Sequence, residues 1–106
     1  TIMQFDINVK IIVLNNHFLG MVRQWQQLFN DKRYSFVNIT SPDFVMVAKA
    51  YGIEGKSISK REELQNSLNA MMQHKGAYLL EVIVGKENNV FPMVAQGCLV
   101  SEIRLK

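Results

Sequence analysis

Two nearly unbroken apolar runs, residues 9–14 (Val-Lys-Ile-Ile-Val-Leu) and 78–84 (Tyr-Leu-Leu-Glu-Val-Ile-Val), constrain this chain more than any other feature. Both are rich in β-branched residues, too short for a helix and not alternating, the pattern of parallel strands buried on both faces. Parallel strands cannot be joined by tight hairpins; each connection needs a crossover, usually a helix. The intervening sequence supplies the helices. Phe18, Val22, Trp25 and Phe29 recur at helical spacing through residues 19–30, while Met21 and Leu28 fall off that stripe, so this helix is expected to be apolar on more than one side. Residues 31–40 read as a loop. Ser41-Pro42 has the form of an N-cap followed by proline at the first helical position. It predicts a helix to Tyr51, with Gly52 as its stop and Phe44, Val47, Ala48 and Tyr51 as its buried face. A short strand at residues 56–58 and capping-box spacing at residues 59–62 (Ser-Lys-Arg-Glu) come next. Leu64, Leu68 and Met71 then mark a helix to His74, with Gly76 as its C-cap. After Gly85 the tail is polar, turning apolar again around residues 91–93.

The fold class that follows is α/β: a partial parallel sheet of three strands, thin and open at its edges, flanked by helices through right-handed crossovers. A chain of 106 residues makes one domain at most. Its 48% hydrophobic and 20% charged content is that of an ordinary globular protein. The longest apolar run, residues 11–14, falls far short of the ~20 residues a membrane helix needs, and residues 1–8 lack the basic start of a signal peptide. A membrane partner is therefore not expected. Nor is nucleic acid: the net charge of +3 is dispersed, and its densest pair, Lys32-Arg33, has no aromatic interleaving. One cysteine, Cys98, cannot form an internal disulfide, which favours a reducing compartment. The chain opens on Thr1 rather than Met, which reads as a cut end.

Ligands of open parallel sheets collect beyond the carboxyl ends of the strands. The first strand delivers residues 15–20 (Asn-Asn-His-Phe-Leu-Gly) to that rim, just ahead of a helix N-terminus whose unpaired N–H groups favour an anion such as a diphosphate. An Asn side-chain oxygen is a hard, neutral ligand suited to Mg²⁺. On pattern alone the plainer reading outweighs this one, because Asn pairs are common turn residues. Met21 and Trp25 likewise read first as core. His17 and His74 have no Cys, Asp or Glu at metal-binding spacing, and Cys98 has no base partner.

The balance changes when residues 10–29 (Lys-Ile-Ile-Val-Leu-Asn-Asn-His-Phe-Leu-Gly-Met-Val-Arg-Gln-Trp-Gln-Gln-Leu-Phe) are read as one string. The string resembles the second half of the thiamine-diphosphate motif of acetolactate synthase large subunits, which opens with Gly-Asp-Gly and ends in Asn-Asn. The combination of Asn-Asn, Leu-Gly-Met-Val and Gln-Trp carries the resemblance. Further matches run in order through Arg33-Tyr34, Pro42-Asp43-Phe44, residues 50–53, residues 79–82 and residues 89–93, so the similarity covers essentially the whole chain. The Gly-Asp-Gly half, with its metal-binding carboxylate, is absent. Ala95 stands where the family often has a second proline after Pro92-Met93-Val94.

The resemblance implies that residues 1–106 are the C-terminal portion of the thiamine-diphosphate-binding domain, incomplete at its N-terminal side. It implies that Asn16 gives a side-chain oxygen, and Phe18 its backbone carbonyl, to Mg²⁺. Asn15, Leu19, Gly20 and Met21 would lie with Asn16 at the cofactor, and Met21, Val22, Trp25 and Gln96 would line the substrate channel. The family condenses two pyruvates to 2-acetolactate, or pyruvate with 2-oxobutyrate, with loss of CO₂, in branched-chain amino-acid biosynthesis. The thiamine cofactor supplies the nucleophile and electron sink. FAD and the activating glutamate belong to other domains, so no catalytic residue is expected here. A homodimer or tetramer of the large subunit with a small regulatory subunit is implied. The location would be the cytoplasm in bacteria, or a plastid or mitochondrion in eukaryotes. The rivals are another thiamine-dependent carboligase or decarboxylase, against which Trp25 in its Gln-Trp setting argues, and a non-catalytic binding module.

Overall fold

Three parallel strands, β1 (Lys10–Asn15), β2 (Glu54–Ile58) and β3 (Tyr78–Ile83), form one sheet in the order β1-β3-β2. The computed structural model describes all residues, Thr1–Lys106, and they divide into two compact units. The sheet belongs to the first, residues 1–17 and 40–85; the second comprises residues 18–39 and 86–106.

In the first unit, alternation along β3 feeds two cores. Leu79 points to one face, where it meets Ala48, Ile53 and Ala77, with Ile11, Val13 and Phe44 around them. Tyr78 and Leu80 point to the other, against Ile58 and Met71, with Leu68 and Val82 beside them. The first face is covered by α2 (Phe44–Ala50), the second by α3 (Leu64–Gln73). Leu80 is completely buried, as a central residue of a strand covered on both sides should be.

The run at β1 does not behave like the one at β3. Both were expected to be buried on both faces, yet Ile12 is 49% and Leu14 69% exposed. The reason is position: β1 is an edge strand, and α3 packs chiefly over β3 and β2. The expected cap of α2 also moves. Asp43, not Ser41, is the N-cap, its Oδ1 accepting from the Met46 N–H at 2.8 Å, so Pro42 precedes the helix instead of opening it. Of the buried face expected for α2, Ala48 is buried and Phe44 half-buried, whereas Val47 and Tyr51 are exposed. The expected capping box at residues 59–62 does not form: the Lys60 N–H donates to Glu63 Oε2 at 3.3 Å across a 3₁₀ turn at Arg61–Glu63, and the Lys60 side chain, a donor only, cannot complete the reciprocal half. Gly52 ends α2 as expected, at φ +73°. The C-cap of α3 is His74 rather than the expected Gly76, because the backbone already turns extended at His74, and Gly76 follows two residues later at φ +94°. Lys10 Nζ donates to the carbonyls of His74 and Gly76, placing a cation at the C-terminal end of α3.

Burial, reinforced by the Glu54 carboxylate, raises the pKa of the Tyr78 phenol. The folded chain thus keeps this proton to higher pH than the unfolded chain does. The resulting stabilisation is fully present below the ordinary phenol value, about pH 10, and drains away as pH rises through the folded value. Thermal melts of the chain at rising alkaline pH should fall more steeply than those of Tyr78→Phe. Parallel curves would remove the effect.

In the second unit, α1 (Gly20–Phe29) buries its polar side. Arg23 and Gln24 are 5% and 2% exposed, while Val22 and Phe29 of the expected apolar stripe are exposed, as is Met21 beside it. The stripe is real as a pattern, but this unit packs against the other side of the helix. No helix of the chain is long and apolar enough to cross a membrane.

Candidate functional site

The carboxyl end of β1 holds the expected site residues of the first unit, Asn15 and Asn16. Asn15 is buried, and both ends of its amide are engaged. Nδ2 donates to Glu81 Oε1 at 2.8 Å, and Oδ1 accepts from the His17 N–H at 2.9 Å and from Ser41 Oγ at 3.4 Å. Its main-chain oxygen accepts from the Val84 N–H at 2.9 Å. The bond to His17 closes an Asx turn, and His17 takes φ +57°, so the left-handed residue of this turn is His17 rather than either asparagine. Asn16, between them, is half-buried.

The remaining expected site residues belong to the second unit. Phe18 bridges to Asn38 in antiparallel fashion, and the Leu19 N–H donates to the Val37 carbonyl at 2.8 Å. Gly20 opens α1, whose N-cap Leu19 offers no side-chain acceptor. Leu19, Met21 and Val22 are 43%, 53% and 46% exposed, and Trp25 is half-buried with its ring 4.8 Å from that of Phe29. Gln96 is exposed in the tail.

Sequence reasoning overlooked the residues that hold this unit together. Arg23 pairs with Glu87 at 2.7 Å, donates to the Lys86 carbonyl at 3.1 Å, and lies over the rings of Tyr34 and Phe18 at 4.6 and 5.6 Å. Gln24 clasps Val90 at both ends, donating to its carbonyl at 3.0 Å and accepting from its N–H at 2.7 Å. It also donates to Met93 Sδ at 2.9 Å. The partners in the tail, Lys86, Glu87, Val90 and Met93, stand 63 to 69 residues away, which no local pattern reveals. Glu81 was overlooked as well, although a carboxylate inside Leu-Leu-Glu-Val was a signal: a charge in a central strand needs a partner.

No three His, Cys, Asp or Glu side chains gather into a group that could hold a metal. The oxygen donors at the end of β1 are neutral amides and carbonyls, the class Mg²⁺ accepts alongside carboxylates and phosphate.

Comparison with known proteins gives these features a family. Residues 1–82 match the model described as "Thiamine pyrophosphate enzyme, C-terminal TPP binding domain". Mitochondrial acetolactate synthase of Schizosaccharomyces pombe is 45% identical over 92% of this chain and 14% of its own length. The acetolactate synthase isozyme 2 large subunit of Escherichia coli is 42% identical over 97% of this chain and 19% of its own length. The chain thus spans less than a fifth of either relative. Among solved structures, the thiamine diphosphate-dependent 4-hydroxybenzoylformate decarboxylase of Rhodococcus jostii RHA1 superposes with a TM-score of 0.69 at 26% identity, covering 79% of this chain and 16% of that one. A family match across most of the chain and a shared sheet architecture lead to one assignment: the chain belongs to the C-terminal TPP-binding domains of the thiamine pyrophosphate enzymes.

Proposed function

We propose that residues 1–106 serve as the C-terminal portion of the thiamine-diphosphate-binding domain of an acetolactate synthase large subunit. The whole enzyme would condense two pyruvates to 2-acetolactate, or pyruvate with 2-oxobutyrate, releasing CO₂ for branched-chain amino-acid biosynthesis. The observation that carries this reading is the turn after β1, where Asn15-Asn16-His17-Phe18 stands at the sheet rim that open α/β folds use for ligands. The identity of 42–45% to acetolactate synthases supports it.

The donors fit Mg²⁺. An Asn16 side-chain oxygen and the Phe18 carbonyl would help to hold Mg²⁺, a hard cation that prefers oxygen donors and would anchor the diphosphate. Thiamine diphosphate, when bound, supplies the nucleophile and electron sink. This chain's residues hold and orient: Asn15 sets the turn, Leu19, Gly20 and Met21 flank the cofactor, and Met21, Val22, Trp25 and Gln96 line the substrate approach. No residue of this chain is assigned to FAD. The enzyme would act as a large-subunit dimer or tetramer with a small regulatory subunit, in the bacterial cytoplasm or in a eukaryotic mitochondrion or plastid.

The test compares the 106-residue chain with the complete enzyme that carries it. Depleted of cofactor, the complete enzyme should regain acetolactate formation from pyruvate when thiamine diphosphate, Mg²⁺ and FAD are restored; the chain alone should form none. Turnover by the chain alone overturns the reading. Aldehyde as the main product would assign the enzyme to the decarboxylases, and cofactor binding without turnover to a binding module.

A further inference from the structure

We propose that Glu81 is a positioning residue for the cofactor's metal, acting through Asn15 and the turn after it. The inference rests on the assignment of Asn16 and Phe18 to Mg²⁺. Glu81 pairs with Val13 across the β1–β3 ladder, and Asn15 lies two residues further along β1, so both side chains project from one face of the sheet. They meet at 2.8 Å with 7% and 6% of their surfaces exposed. Glu81 has no cationic partner in the structure, and its side-chain hydrogen bond goes to Asn15.

The chemistry of this pair decides which way Asn15 faces. Glu81 Oε1 accepts from the amide Nδ2, which fixes Nδ2 on the Glu81 side. That leaves Oδ1 on the opposite side, where the His17 N–H and Ser41 Oγ donate to it. An inverted amide would set oxygen against carboxylate and NH₂ against the His17 N–H, losing both bonds. Glu81 therefore selects one amide orientation, and that orientation holds His17 in its left-handed conformation. His17 is the single residue between Asn16 and Phe18. The turn that presents the Asn16 oxygen to a metal is thus held by a carboxylate that does not itself bind it. Glu81 bonds Asn15, the neighbour of the proposed ligand Asn16, and so stands one residue further out than a carboxylate that bonds a metal-binding histidine directly, where losing the partner costs about 10–100-fold in affinity; the lower end of that range applies here.

The test uses the complete enzyme carrying this segment, stripped of cofactor and titrated with Mg²⁺ at saturating thiamine diphosphate, with binding followed by fluorescence or calorimetry. Glu81→Ala should raise the Mg²⁺ concentration for half-saturation about tenfold, with the loss in affinity exceeding the loss in kcat at saturating Mg²⁺. Glu81→Gln, whose amide oxygen can still accept from Asn15, should recover most of that affinity. Apo-enzyme melting is measured in parallel. Should Glu81→Ala fail to fold, Glu81→Gln and Glu81→Asp decide: the proposal requires the shorter Asp to need more Mg²⁺ than Gln. Unchanged Mg²⁺ dependence in Glu81→Ala overturns it, as does a lowered melting temperature with Mg²⁺ affinity intact, which would make Glu81 a structural residue only. If the unsubstituted enzyme binds no thiamine diphosphate, the functional assignment fails instead, a result distinct from the failure of Glu81.

Discussion

Asn16→Ala in the complete enzyme should weaken retention of thiamine diphosphate by about 100-fold at fixed Mg²⁺, the upper end of what losing a metal-site partner costs, while apo-enzyme stability changes little. Asn15→Ala should show the opposite emphasis. Asn15 is buried and joins β1, β3 and the approach to α2 through Glu81, Val84 and Ser41. Truncating it leaves the Glu81 carboxylate buried with its partner gone and the His17 N–H without its acceptor. Leaving such groups unsatisfied costs about 1–3 kcal/mol each. Its effect on the cofactor, transmitted through the turn, should be nearer tenfold, matching Glu81→Ala. Apo-enzyme titrated with thiamine diphosphate, alongside melting of the same samples, separates the two asparagines. Equal losses of cofactor affinity would remove the assignment of Asn16 as the metal ligand.

The resemblance gave Asn16 to the metal and Asn15 a supporting place, but the local pattern held no physical reason for the difference. Asn15-Asn16 is locally symmetric; what distinguishes its members is a carboxylate 66 residues away, brought beside Asn15 by strand pairing. Elements whose causes are local were legible. The three strands, the helices between them and the glycines at φ +73° and +94° follow from apolar runs, helical spacing and the steric freedom of glycine. Elements whose causes are relational were not. Residues 9–14 and 78–84 read alike, yet one is an edge strand and the other central, because strand order depends on crossovers that composition does not encode. The cap of α2 went to Asp43 rather than Ser41, whose hydroxyl is turned to Asn15. On α1 the apolar period was correct and its meaning reversed: Arg23 and Gln24 go inward because the tail at residues 86–93 supplies a carboxylate, carbonyls, an N–H and a sulfur for them.

That reversal bears directly on Trp25. A tryptophan on a helical apolar stripe reads first as core, and truncating a core tryptophan costs ~3–5 kcal/mol. Here the buried side of α1 is taken by Arg23 and Gln24, and the indole is only half-buried, packed on Phe29 at an interplanar angle of 38°. Met21 and Val22, four and three residues before it on the same helix, are about half exposed. A face of this kind is available to a ligand in a way that a core is not. If it walls the approach to the cofactor, the indole meets the second 2-oxo acid, where acceptors differing by one methylene can be told apart by about 1–3 kcal/mol in an apolar pocket. Trp25→Leu in the complete enzyme should therefore reduce the preference for 2-oxobutyrate over pyruvate by roughly tenfold or more, with pyruvate turnover largely retained. Loss of packing on Phe29 should lower stability far less than a core truncation would. Competition between the two acceptors, read as the ratio of the products, is measured together with the melting temperature. An unchanged product ratio with a collapsed melting temperature would return Trp25 to the core, whereas a shifted ratio at near-normal stability would place the indole at the acceptor.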